Sequence, residues 1–186
     1  MSKGKIFIVE DSFIVSYHLQ TTLESDGYMV IGMCDSGEAA IQSIEKNRPD
    51  LVLMDIMLAG KMDGIETAAI IKFRFNIPVI YITALTDKDT IDRAKITEPY
   101  GYLTKPFEDR EIFTVIGMAL YKHRIELKLK ESEEKYFSTV NSISDAVVSI
   151  DKDFKVLYVN PSASALTGWG LEDAIGKPIT TVLSLR

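Results

Sequence analysis

Short apolar runs alternate with longer amphipathic stretches through the first two thirds of the chain. The runs predict strands at 5–10, 29–34, 51–54, 78–83 and 101–104. The stretches between them predict helices at 12–25, 36–46, from 63, 87–95 and from about 108. Five strand–helix units in succession predict an α/β fold with a parallel sheet, right-handed crossovers and helices on both faces.

Polar side chains follow four of these predicted strands at the point where each strand ends. Leu51 to Met54 is apolar throughout, which is typical of a strand buried on both faces, and Asp55 follows it directly. The other strand-end residues are Glu10, Asp11, Thr83 and Lys105. Because open α/β sheets keep their sites at the carboxyl ends of the strands, we expect these side chains to lie close together.

The residue types at this edge favour phosphoryl chemistry on an aspartate. Three carboxylates within a few ångströms repel strongly, so a cation must compensate them at neutral pH. Ligands that are all oxygen favour a hard ion, and a shallow shell completed by water suits Mg²⁺. The Thr83 hydroxyl and the Lys105 ammonium would complete a neutralising cradle for a phosphoryl group on Asp55. Helix capping is the alternative role for each acid, but it does not explain the whole set.

Composition narrows the class of protein. The formal net charge of −6 argues against a chain dominated by nucleic-acid binding. The single cysteine, Cys34, excludes an internal disulfide and a cysteine metal cluster, and we expect it to be a buried core residue. His18 and His123 have no third ligand and are interpreted as surface or packing residues. No apolar run approaches the length of a membrane span, and the N-terminus has no signal-peptide core, so a reducing cytoplasm is predicted.

The last predicted helix of the sheet has no clear stop between about 108 and 137. Beyond Tyr121 it becomes charged, with acid and base pairs three or four residues apart, which supports a solvated helix. Met118 and Ile125 are one heptad apart, but the apolar positions do not sustain a clean coiled-coil stripe. The sequence therefore leaves both a short coiled-coil dimer and a monomeric spacer open.

The pattern changes after this helix. The segments 146–150 and 155–159, joined by a turn, predict a β-hairpin. Asn160 and Pro161 then predict the cap and first position of a short helix. So few elements bury little core, and we expect the sequence to be a truncated part of a longer protein.

Residues 1 to about 124 resemble the receiver domain of two-component response regulators. The resemblance is carried by five blocks in order: Ile8-Val9-Glu10-Asp11-Ser12, Pro49 to Asp55, Met62-Asp63-Gly64, Ile82-Thr83-Ala84 and Gly101 to Phe107. It implies a flavodoxin-like fold with strand order 2-1-3-4-5.

The same resemblance implies a role for each site residue. Asp55 would accept the phosphoryl group, and Thr83 and Lys105 would contact it. The Mg²⁺ ligands would be Glu10, Asp11, Asp55 and the backbone carbonyl of Met57. Tyr102 would be the aromatic whose rotamer follows Thr83, and the peptide bond before Pro106 is often cis. The loop after Asp55 departs from the family pattern, because it lacks the usual proline and carries Leu58-Ala59-Gly60-Lys61.

From about Glu133 the sequence resembles the first part of a PAS sensor domain. The matching segments are Phe137 to Val140, Asp145 to Asp151, Tyr158 to Ala163, Leu166 to Trp169 and Ile175 to Pro178. The predicted organisation is a receiver domain at 1–124, a helical linker at 125–137 and a partial PAS domain at 138–186. No PAS ligand is assigned, and Trp169 is interpreted as a packing residue.

The resemblance implies a response regulator that takes its phosphoryl group from a sensor histidine kinase and passes the change to the PAS module. It would not be an enzyme beyond its own phosphorylation and dephosphorylation. The alternative is the regulatory N-terminal receiver of a larger hybrid histidine kinase. A DNA-binding regulator is disfavoured because no basic helix-turn-helix segment follows. An aspartyl-phosphate phosphatase is disfavoured because Met57 stands where such enzymes usually carry a second aspartate.

Two surfaces are candidates for a homodimer. One is the linker helix. The other is the face formed by the fourth helix, the fifth strand and the fifth helix, whose charged residues mix both signs. These are Lys88, Asp92, Arg93, Lys95, Asp109, Arg110 and Glu111.

Overall fold

The computed structural model describes residues 2–58, 60–84 and 88–183. The chain divides into two compact units, Met1–Ile125 and Glu126–Arg186. Three parts of the predictions lie outside the described residues: Ala59 in the loop after Asp55, Asp87 at the predicted start of the fourth helix, and the side chain of Lys88.

The first unit is built on a five-stranded parallel sheet. Its strands are β1 (Lys5–Val9), β2 (Met29–Cys34), β3 (Leu51–Asp55), β4 (Val79–Thr83) and β5 (Gly101–Thr104). They lie in the order β2-β1-β3-β4-β5, and every neighbouring pair is parallel. The predicted strand order is therefore confirmed.

Five helices follow the five strands. They are α1 (Phe13–Ser25), α2 (Gly37–Lys46), α3 (Gly64–Phe75), α4 (Lys88–Ile96) and α5 (Asp109–Ser142). α3 begins where the sequence predicts, because Asp63 and Glu66 form a capping box, and it ends at Asn76 in the left-handed conformation. Among the described residues, no helix is both long enough and apolar enough to cross a membrane.

α5 extends five residues beyond the predicted end at Phe137. Nothing in residues 138–142 is a glycine or proline, so the helix has no local reason to stop there. It ends instead where the Asn160 side-chain amide donates to the carbonyl of Val140 at 3.2 Å. The end of α5 is thus set by a contact with a residue further along the chain.

The sheet has an apolar layer on each face. Successive residues of β3 point to opposite faces, so Val52 and Met54 join one cluster, whereas Leu51 and Leu53 join the other. All four side chains are fully buried, which confirms the prediction for this strand. Asp55 is thereby held at the end of a strand that is buried along its whole length.

The expectation that Cys34 is a buried core residue is confirmed only in part, because its side chain packs against one core cluster but is not fully buried. Cys34 is only partly buried, and Met29 and Met33 on the same strand are 50% and 40% exposed. β2 lies at the edge of the sheet with a single neighbouring strand, so it is covered less completely than the central strands. Burial and the neighbouring Asp35 raise the pKa of the Cys34 thiol, which leaves it protonated at neutral pH.

The second unit contains the end of α5 and several short elements. They are β6 (Val148–Ile150), β7 (Val156–Val159), α6 (Pro161–Thr167), α7 (Leu171–Ala174) and α8 (Ile179–Val182). β6 and β7 form the predicted antiparallel hairpin, and Trp169 packs against the small core as predicted.

Asn160 is the central polar residue of the second unit. Its side-chain oxygen accepts from the backbone of Ala163 at 2.8 Å, as predicted for the cap of α6, and from Val147 at 3.0 Å. Its amide nitrogen donates to carbonyls near the end of α5, including those of Val140 and Asp145. Asn160 is fully buried, so these bonds tie the end of α5 and the start of α6 to Val147, the residue before β6.

Candidate functional site

The register of the sheet brings the predicted site residues to one edge. Val9 pairs with Met54, and Thr83 pairs with Thr104, so each strand ends at about the same level. The Lys105 amide donates to the Thr83 carbonyl at 2.8 Å and continues the pairing beyond β5. Glu10, Asp55, Thr83 and Lys105 therefore lie on adjacent strand ends, in agreement with the expectation from the sequence.

Glu10, Asp11 and Asp55 form an acidic cluster. Each offers one carboxylate oxygen, and these three oxygens lie within 4.8 Å of one another. Glu10 and Asp55 are buried, whereas Asp11 is exposed. The geometry and the ligand type fit a hard divalent cation that keeps part of its water shell.

Lys105 neutralises part of this charge. Its ammonium lies 2.6 Å from Asp55 Oδ2 and 2.9 Å from Glu10 Oε1, and it donates a hydrogen bond to each. Burial alone would lower the pKa of Lys105, but the hydrogen bonds to Asp55 and Glu10 outweigh it and raise the pKa. The Lys105–Pro106 peptide bond is cis. One ammonium facing three carboxylates leaves negative charge in excess.

Glu10 carries a buried oxygen without a hydrogen-bond partner among the described residues. Oε1 accepts from Lys105 and, at 3.3 Å, from the Ser12 amide. Oε2 lies 2.8 Å from the Lys105 ammonium as an ion pair, but it accepts no hydrogen bond from the described residues. Burial raises the pKa of Glu10, with the Lys105 hydrogen bond opposing and Asp55 adding to the rise. A buried carboxylate oxygen that accepts no hydrogen bond, in a cluster with excess negative charge, fits a position beside a bound cation.

The loop after β3 orients Asp55. The Met57 amide donates to Asp55 Oδ1 at 3.0 Å, so one carboxylate oxygen faces the loop and the other faces Lys105. The Gly64 amide donates to the Ile56 carbonyl at 3.0 Å, which brings the start of α3 against the end of β3. A Cβ atom on Gly64 would lie 1.9 Å from the Asp55 carbonyl oxygen, so this approach requires glycine.

An ion pair without any signature in the sequence links the loop to α4. Arg93 donates from Nη2 to Asp63 Oδ2 at 2.5 Å, while Oδ1 of the same residue accepts from the Glu66 amide. Burial would raise the pKa of Asp63, but these two hydrogen bonds outweigh it and lower the pKa. Arg93 and Asp63 are far apart in sequence and carry no local pattern, so only the folded chain shows their contact.

Thr83 and Tyr102 lie on adjacent strands. Thr83 is buried, whereas Tyr102 is 36% exposed, and its ring centroid lies 5.8 Å from that of Tyr81. Tyr81 is fully buried, and its hydroxyl lies 2.8 Å from Thr97 Oγ1 in a hydrogen bond. Burial raises the pKa of Tyr81 to about 12.

The two histidines have packing contacts. His18 is stacked on Phe107, with Nε2 3.5 Å from an Asp109 carboxylate oxygen. His123 shares a hydrogen bond of 3.0 Å with the Tyr100 hydroxyl. Among the described residues, the acidic cluster is the one group of His, Cys, Asp or Glu side chains arranged to hold a metal, and it contains neither histidine.

Comparison with known families identifies this architecture. The family model of the response regulator receiver domain matches residues 6–117. The chain belongs to the response regulator receiver family. The first unit is therefore a receiver domain of two-component systems. The PAS fold model matches residues 134–184, so both resemblances seen in the sequence motifs are confirmed.

A curated relative of the receiver is a transcriptional regulator. The chain is 30% identical over 129 residues to the transcriptional regulatory protein PdtaR of Mycobacterium tuberculosis, in an alignment that covers 69% of this chain and 62% of the relative. The chain thus spans less than two thirds of that relative's length.

Two solved structures are also similar. The signal receiver domain of a modulated diguanylate cyclase from Desulfovibrio desulfuricans G20 is 42% identical, with a TM-score of 0.64, and the match covers 66% of this chain and 98% of that one. The N-terminal domain of a response regulator/sensory box/GGDEF 3-domain protein from Carboxydothermus hydrogenoformans is 34% identical, with a TM-score of 0.61 and the same coverage. Receiver domains similar to this one thus occur in proteins with different further domains.

Proposed function

We propose that Asp55 accepts a phosphoryl group from a sensor histidine kinase. The observation that carries this proposal is the position of the Asp55 carboxylate, bonded to the Lys105 ammonium at 2.6 Å within the acidic cluster. A carboxylate oxygen attacks phosphorus, the P–N bond to the donor imidazole breaks, and the imidazole leaves with the electron pair. The chain acts as a phosphoacceptor that supports only its own phosphorylation and dephosphorylation.

Lys105 and Thr83 would stabilise the transferred group. Charge develops on the equatorial phosphoryl oxygens during transfer, and the Lys105 ammonium already lies within hydrogen-bond distance of the acceptor carboxylate. Thr83 ends the adjacent strand and supplies a hydroxyl on the same edge. The Met57 amide holds Asp55 Oδ1, so the acceptor side chain is oriented before the donor arrives.

Mg²⁺ is the proposed cofactor. Glu10, Asp11 and Asp55 would hold it, with the backbone carbonyl of Met57 as a further ligand. The buried Glu10 Oε2, which has no hydrogen-bond partner among the described residues, supports this assignment. When bound, Mg²⁺ would neutralise charge on the acids and on the phosphoryl oxygens.

Transfer is tested with acetyl phosphate and the full chain. Intact-mass measurement is expected to show a single phosphoryl adduct that requires Mg²⁺, and Asp55→Asn is expected to abolish it. Asp92→Asn, on the exposed surface of α4, is the matched control and should label like the unchanged protein. Labelling of Asp55→Asn at the same rate would overturn the assignment of the acceptor.

The proposed switch couples Thr83 to Tyr102. Phosphorylation adds about −1.5 to −2 charges and gives the Thr83 hydroxyl an acceptor to move towards. Tyr102 is partly exposed on the neighbouring strand, so its ring can turn into the space that Thr83 vacates. This movement would alter the face formed by α4, β5 and α5.

This face is also a candidate dimer surface, as is the exposed side of α5. A groove of about 360 Å³ runs along it, lined by residues of β5 and α5 that include Tyr102, Arg110 and Glu111. Beryllofluoride, a mimic of the phosphoryl group, should change sedimentation if phosphorylation controls this face. Identical sedimentation with and without it would remove the face from the proposal.

The alternative function is the N-terminal receiver of a larger hybrid histidine kinase. It is favoured by the continuity of α5 from the receiver into the segment that matches the PAS fold. The sequence downstream of Arg186 in the gene distinguishes the two, because a kinase would require a transfer-histidine segment and an ATP-binding domain. For both functions the cytoplasm remains the proposed compartment.

A further inference from the structure

Tyr81 connects the strand beside the proposed switch residue to the end of α4. Its side chain is fully buried, and its Cα pairs with that of Tyr102 on the neighbouring strand β5. The Thr97 hydroxyl donates to the Ala94 carbonyl at 2.7 Å, so its own proton is engaged and its oxygen is left to accept from Tyr81. Tyr81 therefore donates the 2.8 Å hydrogen bond that holds the residue directly after α4.

Residues 97–100 form the turn between α4 and β5, and we name it the α4–β5 turn. The Lys72 ammonium of α3 donates to the Thr97 carbonyl at 3.0 Å and to Glu98 Oε2 at 2.6 Å. Glu98 has a φ of 47°, a left-handed backbone conformation that residues other than glycine rarely adopt. The bonds from Lys72 and Tyr81 thus hold this turn in a conformation that it would not adopt by itself.

The last residue of the α4–β5 turn, Tyr100, contacts α5. Its amide donates to the Val79 carbonyl at 2.9 Å, which fixes its backbone against β4. Its hydroxyl shares a hydrogen bond of 3.0 Å with His123 Nδ1, and the two ring centroids lie 5.4 Å apart in an edge-to-face arrangement. The Lys122 ammonium lies 5.1 Å from the centre of the same tyrosine ring. The turn therefore binds α5 close to the end of the first unit at Ile125.

We propose that Tyr81 and the α4–β5 turn carry the state of Tyr102 to α5 at His123. The inference rests on the proposed switch, in which the Tyr102 ring turns towards Thr83. Tyr81 and Thr83 are two residues apart on β4 and point to the same face of the sheet. The movement therefore exchanges the contact between the rings of Tyr102 and Tyr81, whose centroids lie 5.8 Å apart, for a contact with Thr83.

Close packing extends this change beyond Tyr81. Protein interiors contain few voids, so a fully buried ring adjusts when the ring beside it moves away. The Tyr81 hydroxyl moves with its ring, and Thr97 must follow it or leave a buried donor unpaired. Thr97 belongs to the same short turn as Tyr100, so the displacement reaches His123. The two states that this route requires are the two positions of the Tyr102 ring.

The two histidines of the chain provide the readouts. His123 is bonded to Tyr100 at the far end of the route, whereas His18 stacks on Phe107, two residues after Lys105, and lies beside the proposed phosphorylation site. Proton NMR of the full chain follows the ring signal of each histidine at fixed pH, and His123→Gln identifies its own signal. Beryllofluoride with Mg²⁺ is the probe, and fluorine NMR of the bound anion measures its binding independently.

In the unchanged protein, the probe is expected to shift both histidine signals. Tyr81→Phe removes only the hydroxyl, and it is expected to abolish the His123 shift while the His18 shift and the bound fluorine signal remain. Thr97→Ala should have the same effect, whereas Thr97→Ser keeps the acceptor oxygen and should retain the His123 shift. Tyr28→Phe is the matched control, because it removes the hydroxyl of a buried tyrosine that belongs to the cluster on the other face of the sheet. This control should retain both shifts.

The same spectra contain the results that would overturn the proposal. A His123 shift that persists in Tyr81→Phe would mean that the change reaches α5 by another route. A His123 signal that stays in place in the unchanged protein, although the bound fluorine signal is present, would mean that no change arrives there. Absence of the bound fluorine signal would instead remove the function proposed for Asp55, and with it the switch on which the route depends.

Discussion

Asp11 is the exposed member of the acidic cluster, so its charge can be removed without opening a cavity. Its carboxylate lies within 4.8 Å of those of Glu10 and Asp55, whereas the hydrogen bonds of the Lys105 ammonium go to the other two acids. Asp11→Asn is therefore expected to raise the free energy of unfolding by about 1 kcal/mol in the absence of divalent ions. Thermal unfolding in EDTA measures this change.

Asp35→Asn is the control for this measurement. Asp35 is also exposed and follows the neighbouring strand β2, but it does not belong to the acidic cluster. With Mg²⁺ present, Asp11→Asn should instead be less stable than the unchanged protein, because the substitution removes a proposed Mg²⁺ ligand. A lower melting temperature for Asp11→Asn in EDTA would argue against repulsion within the cluster.

Tyr81 supplies a pH-dependent signal from the core. Burial raises its pKa to about 12, above the usual value near 10. Between these two values the folded state retains a proton that the unfolded state has lost, so the free energy of unfolding falls as the pH rises from about 10 to about 12. The tyrosinate absorbance should contain a component that titrates near pH 12, which Tyr81→Phe removes and the exposed-site variant Tyr17→Phe does not.

Gly64 determines how closely an element can approach the acceptor. Gly64→Ala places a Cβ atom 1.9 Å from the Asp55 carbonyl oxygen, so the start of α3 must move away from the end of β3. The expected cost is about 1–3 kcal/mol of unfolding free energy, together with slower phosphorylation of the displaced Asp55.

At Gly117, in contrast to Gly64, replacement by alanine is expected to stabilise the protein. A Cβ atom there meets no atom within 4 Å, and the position lies inside α5. Gly117→Ala should therefore stabilise the protein by up to about 1 kcal/mol, because alanine is the better helix former. Chemical denaturation of both variants, with acetyl phosphate labelling of each, checks the pair. Equal effects of the two substitutions would contradict the close approach at Gly64.

At the scale of the elements, the strands and helices that carry a clear pattern in their own sequence could be located without the structure. β3 could be placed because its apolar run between turn signals is too short for a helix, and α3 because Asp63 stands immediately before a helical apolar pattern. The exposure of Cys34 was missed because its burial was inferred from the apolar composition of its own strand, although the implied strand order already places that strand at the edge of the sheet. The end of α5 was missed because Asn160, eighteen residues beyond Ser142, terminates it.

The candidate site shows the same division. Glu10, Asp55, Thr83 and Lys105 were predictable because parallel strands end together. The Arg93–Asp63 ion pair was not, because it joins two elements that share no motif. The Lys105 ammonium forms ion pairs with Glu10 and Asp55. This choice of two acids out of the three in the cluster also depends on the folded geometry and not on any local pattern.

At the scale of the whole molecule, the two compact units differ in how much apolar surface they bury. Within the part of the chain that the structure describes, the sheet of the first unit packs between clusters of fifteen and thirteen buried residues, whereas the cluster of the second unit has five. Because hydrophobic burial provides most of the stability of a domain, the second unit is expected to unfold at a lower temperature than the first. Calorimetry of the full chain should resolve two transitions.

Ligand linkage assigns these transitions. Mg²⁺ with beryllofluoride binds only folded receiver in the proposed function, so it should raise the upper transition and leave the lower one in place. Asn160→Ala should lower the temperature of the lower transition and leave the upper one in place, because it removes buried hydrogen bonds within the second unit. If both transitions moved together with Mg²⁺ and beryllofluoride, the continuous helix α5 would have to couple the two units energetically, and the receiver could not switch independently of the segment after it.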